Sequence, residues 1–159
     1  MPDDDSRQQS APAFDRGPSA LDKPRSSTGS DGGPGSPVLP RVAVRALRGA
    51  TTVDEDTPEQ VTQRTQELLR AMLERNGVAH EDLISVLFTA TDDIHSMFPA
   101  TAARGIGFGD VPLLCARELD IPGAQPRCIR VMMHIETSRA QLHHVYLEGA
   151  RGLRDDLPD

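Results

Sequence analysis

Tryptophan is absent from the 159 residues, tyrosine occurs once (Tyr146) and phenylalanine four times. A platform on which bare bases stack needs more such rings, so single-stranded nucleic acid is a poor partner. Basic charge is also scarce: the net charge is −7 and the sequence pI about 5.2. Gripping a phosphate backbone needs a clustered cationic face, so a nucleic-acid surface is excluded. The two cysteines, Cys115 and Cys128, are too few for a disulfide framework and lack zinc-ligand spacing. Each reads first as a small buried hydrophobe, and the pair fits a reducing cytoplasm. No run approaches the ~18 apolar residues of a membrane span. The acidic, polar start MPDDDSRQQS is unlike a secretory leader.

The familiar catalytic constellations are missing as well. His143 and His144 are adjacent, so on a strand they point to opposite faces and do not readily share an ion. His95 and His134 have no partner at ligand spacing, and no metal is expected. Gly105, Gly107 and Gly109 lack the strand-to-helix context of a nucleotide loop. No base is placed to activate Cys115 as a nucleophile.

What is present falls into two parts. Nearly half of residues 1–40 are Pro, Gly or Ser, and their isolated apolar residues cannot repay the entropy of ordering. This segment is expected to be a disordered N-terminal extension, with one domain over 41–159. From Val42 the pattern changes. VAVRALRGA alternates as a strand (42–50). Thr57 is a good N-cap, Pro58 suits the first helical position, and Gln60 completes a capping box. Val61, Thr65, Leu68, Leu69, Met72 and Leu73 recur at helical spacing up to Asn76-Gly77. Strands follow at 83–90, 111–116, 128–136 and 142–148, with a short helix from Pro99 to Arg104. The order β-α-β-α-β-β-β predicts an α+β or α/β fold: a mixed β-sheet covered on one face by one long and one short helix. The other face is also apolar and needs cover, which other subunits in closed symmetry supply most naturally.

One residue does not fit its surroundings. In RCIRVMMHIET, residues Cys128, Arg130, Met132 and His134 share one face of a strand, and Ile129, Val131, Met133 and Ile135 share the other. Arg130 thus stands in an apolar run, where an unpaired charge costs roughly several kcal/mol. It must pair with a carboxylate such as Glu118, Glu136 or Asp120, or face a polar cavity. Arg45, Arg48, Arg104, Glu118 and Tyr146 also fall on or beside these elements. Such a set suits an organic dianion carrying a hydroxyl, because arginine forks bind carboxylates in bidentate fashion.

The blocks RALRGATTVDEDT, ATDDIHSMFPATAAR, VPLLCARELD, CIRVMMHIET and HHVYLE…LRDD resemble, in that order, the monofunctional chorismate mutases of the AroH class, over about 41–156. The resemblance implies a homotrimer like a pseudo-α/β-barrel, with active sites at subunit interfaces and no cofactor. It implies the Claisen rearrangement of chorismate to prephenate in phenylalanine and tyrosine biosynthesis. By position, Arg130 matches the arginine beside the ether oxygen of the breaking bond, and Glu118 the carboxylate that meets the substrate hydroxyl. Arg48 and Tyr146 match carboxylate-binding residues. Cys115 is expected to line the pocket near Glu118, with Leu113 and Leu114 as further substrate-binding positions. Phe98, Ala100 and Arg104 match the face lent by the neighbouring subunit, with Thr101 as a further substrate-binding position, and Leu153 and Arg154 match the segment that closes the site. Thr101 stands where a basic residue can occur, Leu114 where a polar residue can precede the cysteine, and the loop between Arg104 and Cys115 looks one residue short. On this reading Arg130 and Glu118 line one cavity without neutralising each other. A trimer that binds a small carboxylate without catalysis, or a related imine deaminase, is the alternative.

Overall fold

The computed structural model describes residues 41–154. The expected extension 1–40 and the last five residues of the expected domain lie outside the described residues. Five strands form one mixed sheet: β1 (Ala43–Thr52), β2 (Leu83–Ala90), β3 (Leu113–Arg117), β4 (Cys128–Thr137) and β5 (Val145–Tyr146). Their order is β3-β2-β4-β1-β5. β4 is antiparallel to β1 and β2, while β3 runs parallel to β2 and β5 parallel to β1. With α1 (Pro58–Asn76) and α2 (Pro99–Arg104) the element order is the one read from the sequence, and the class is α+β.

α1 starts where its cap predicts. Thr57 accepts the N–H of Gln60 at 3.2 Å, and Pro58 opens the first turn. The second half of the expected capping box does not form. Gln60 Oε1 accepts the N–H groups of Asp54 and Glu55 at 2.9 and 3.1 Å, so it braces the preceding loop rather than the cap. The helix stops at Gly77, whose φ of 54° lies in the left-handed region that favours glycine. Val61, Thr65, Leu68, Leu69 and Met72 are buried as the 3.6-residue spacing requires.

Residues paired across strands share a face, and the register sorts the sheet into two. Leu47, Val86, Phe88, Val131, Met133 and Ile135 point to the helices and form the main core with Leu68, Leu69 and Met72. Gly49 lies on that side too. A Cβ there would run into the side chain of Met72, so glycine is what lets β1 approach α1. The outer face carries Val44, Ala46, Arg48 and Ala50 of β1, Leu87 and Thr89 of β2, Leu114 of β3, and Arg130, Met132 and His134 of β4. Val44 and Leu114 are 63% and 64% exposed in the single chain.

Two spans differ from the sequence reading. The last strand is only Val145–Tyr146, and Glu148–Arg154 winds into a 3-10 helix. Glu148 breaks the extended run with a φ of 50°, and Ala150 packs under the new turn against Ala50 and Cys128. β3 begins at Leu113, not Val111, although Val111 is buried in the core.

Candidate active site

The register places Thr89 directly opposite Arg130 on the outer face. β3 ends one residue before Glu118, whose N–H still reaches Ala90 O at 2.9 Å, as in a continued parallel ladder. That bond delivers the Glu118 carboxylate to the same place. Glu118 Oε1 accepts the Thr89 hydroxyl, and Oε2 lies 3.5 Å from Arg130 Nη1. The expectation that Arg130 and Glu118 line one cavity without neutralising each other is therefore corrected: they form an ion pair, though through one long contact, and Glu118 does not line the cavity that Arg130 lines. The two-pronged geometry that makes such pairs strong is absent.

The rest of the guanidinium faces a small cavity. It has a volume of about 110 Å³ and is lined by Arg48, Gly49, Ala50, Arg130, Val131, Tyr146, Leu153 and Arg154. β1 supplies Arg48. β5, parallel to it, supplies Tyr146, whose Cα pairs with that of Ala50. The 3-10 helix brings Leu153 to the lining, where it packs against the cluster of Ala50, Cys128 and Ala150 with Tyr146. Two polar atoms at this cavity, Arg130 Nε and the Tyr146 hydroxyl, are buried without a hydrogen-bond partner. Such orphaned groups are rare and costly unless something arrives to satisfy them. Beside the cavity, burial pushes the Cys128 thiol up, only partly offset by Arg130. It is a packed hydrophobe and not a nucleophile.

Two residues outside the sequence-derived set hold this wall. Asn76, buried at the end of α1, clamps His143 from both sides. Its Oδ1 accepts the His143 N–H at 2.6 Å, and its Nδ2 donates to His143 O at 2.9 Å and to Met72 O at 2.9 Å. His144 then accepts the Arg48 N–H on Nδ1 at 3.2 Å. Burial, with Arg48 and Arg154 alongside, holds the His144 imidazole below its ordinary value of 6.5, which keeps that nitrogen an acceptor. Asn76 reads in the sequence only as a helix terminator.

The remaining predicted residues lie elsewhere on the chain. Cys115 pairs with Phe88 on the helix-covered side, so its side chain and Arg130's are on opposite faces of the sheet. It lines a larger cavity of about 490 Å³ with Phe98, Met97, Ile94, Ala116 and Arg117. Phe98, just before α2, is 72% exposed, while Ala100 is 6% exposed. Thr101 and Arg104 are exposed on α2. Leu113 packs on the main core and Leu114 points outward. Arg45, near the start of β1, is exposed and lines neither cavity. One chain thus gathers Arg48, Glu118, Arg130, Tyr146, Leu153 and Arg154, and leaves Phe98, Thr101 and Arg104 apart.

Comparison with known proteins agrees in length and order. The family described as chorismate mutase type I matches residues 44–157. A chorismate mutase AroH of Thermus thermophilus is 53% identical over 117 residues, covering 72% of this chain and 96% of that protein. The chorismate mutase AroH of Bacillus subtilis is 44% identical over 117 residues, covering 72% and 92%. A solved chorismate mutase from Clostridium thermocellum superposes with a TM-score of 0.67 at 45% identity, covering 68% of this chain and 98% of that one.

Proposed function

The chain belongs to the type I chorismate mutase family, and from that premise we propose that the cavity at Arg130 is one half of its active site. The protein is an isomerase that converts chorismate to prephenate in phenylalanine and tyrosine biosynthesis. The observation that carries the site assignment is the pair of buried, unpartnered polar atoms, Arg130 Nε and Tyr146 Oη, at a cavity that Arg48 and Arg154 also line.

The rearrangement is unimolecular and pericyclic, so it needs no nucleophile and no general base. The protein's part is to hold the flexible substrate in its reactive chair and to stabilise charge that appears as the C–O bond breaks ahead of C–C formation. Negative charge grows on the ether oxygen, and Arg130, fixed on β4, meets it. Positive character grows on the ring, and Glu118 meets that while accepting from the substrate hydroxyl. Arg48 and Tyr146 take the carboxylates, and Leu153 and Arg154 close the opening.

A volume of about 110 Å³ is well short of the ~300 Å³ at which ligand sites begin. The half-site is completed by the second set of residues, Phe98, Ala100, Thr101 and Arg104, from a neighbouring copy. The outer sheet face with exposed Val44 and Leu114 fits the same arrangement, a homotrimer whose apolar sheet faces are buried together. Leu113, Leu114 and Cys115 then border the site rather than contact the breaking bond. Activity resides in 41–159 and does not need 1–40.

The test is direct. Purified protein is mixed with chorismate and the loss of chorismate absorbance is followed, with prephenate identified as product. No loss at micromolar enzyme counts against the function, and turnover by a monodisperse monomer counts against the interface site.

A further inference from the structure

Arg130 and Glu118 carry opposite charges with their nearest atoms 3.5 Å apart, yet they do not close into a fork. A free carboxylate at that distance gains by turning both oxygens onto the guanidinium, since the bidentate pair is shorter and stronger. Here one oxygen is already taken. Thr89 Oγ1 donates to Glu118 Oε1, from the position directly opposite Arg130 in the β2–β4 register. The backbone fixes the other end of the glutamate, through Glu118 N–H to Ala90 O at 2.9 Å. With its main chain and one oxygen both tied to β2, the carboxylate cannot rotate fully onto Arg130. Arg130 Nε is left buried and unsatisfied.

We propose that Thr89 is a positioning residue that keeps the Glu118 carboxylate to a single contact with Arg130, short of a bidentate pair, so that both groups are left able to meet the substrate. The inference rests on the assignment of Arg130 and Glu118 to the active site. Without the hydroxyl, Glu118 collapses onto Arg130 as a bidentate ion pair. The ether oxygen then loses a donor, and the substrate hydroxyl loses its acceptor.

Thr89→Val keeps the branched shape that suits a strand and removes only the hydrogen bond. In the full chain, kcat for chorismate falls by about tenfold or more, the scale of one hydrogen bond to a charged group. KM moves less, because Arg48 and Tyr146 still bind the carboxylates. Thr89→Ser keeps the hydroxyl and recovers most of the loss. In a Glu118→Ala background, Thr89→Val has little further effect, since the group it positions is gone. Melting and circular dichroism verify that each variant is folded. A Val variant with parental kcat overturns the inference, as does equal loss in Val and Ser or a full additional loss in the Glu118→Ala background. If Glu118→Ala itself turns over normally, the site assignment fails; if only Thr89→Val does, the site stands and the positioning role fails.

Discussion

The guanidinium of Arg130 stands 3.5 Å from the carboxylate of Glu118, joined by one contact while its Nε remains buried and unpartnered. The proposed site rests on that relationship. A pair that existed for stability would satisfy every buried donor, because each one left over costs about 1–3 kcal/mol. In the proposed site this donor of Arg130 is the one held for substrate.

Arg130→Ala is accordingly expected to lower kcat by ~10²–10³-fold, the scale of losing one preorganised donor to developing negative charge. Steady-state kinetics on chorismate checks this. A folded variant with near-normal turnover would remove Arg130 from the mechanism.

Asn76→Ala is expected to cost about 2 kcal/mol of stability, because it strips two partners from the backbone of His143 and one from Met72. Asn76→Asp keeps the acceptor for the His143 N–H but turns a buried carboxylate oxygen onto the carbonyls of His143 and Met72 at a helix C-terminus, and is expected to cost at least as much. Urea unfolding of the two variants measures the difference; equal midpoints for Ala and parent would show the clamp to be idle.

His144 sets a pH dependence whose sign follows from its lowered pKa. In the unfolded chain the imidazole titrates near 6.5, and in the folded chain it titrates lower. Between those values the unfolded state binds more protons, so stability rises with pH there. The contribution is complete above 6.5 and is lost as the pH falls below it toward the folded value. His144→Gln is expected to flatten this part of the profile. Denaturation midpoints from about pH 5 to about pH 8 test it, and an unchanged slope in the variant would refute the assignment.

Val44→Glu places a charge on the exposed apolar side of β1, where a neighbouring copy is proposed to pack. Light scattering is expected to report dissociation, with kcat/KM falling in parallel because the half-site loses its complement. Full activity in a dissociated variant would place the whole site within one chain.

Much of this was legible in the residues themselves. Period-2 alternation around Arg130 marked which neighbours face the helices, since the pleat leaves a strand residue only two sides to point to. The helix from Pro58 to Asn76 followed from a cap, a 3.6-residue stripe and a left-handed terminator, all of them local. The end of the chain was not local. Val145 and Tyr146 alternate like a longer strand, yet pairing with β1 extends to only two residues. Glu148 then turns away, and the 3-10 helix packs Ala150 on Ala50 and Cys128, a choice made in part by a residue far upstream in the chain.

Composition, spacing and block order thus determined the class of fold, the kind of ligand and the identity of the charged residues. The tertiary structure decided how those charges stand to one another. It brought Thr89 opposite Arg130, tied Glu118 to Thr89, set His144 against Arg48, and put the Cys115 side chain on the far face of the sheet. Alternation tells which side of a strand a residue takes. Which residues meet across strands depends on register, and register is fixed only when the whole sheet packs.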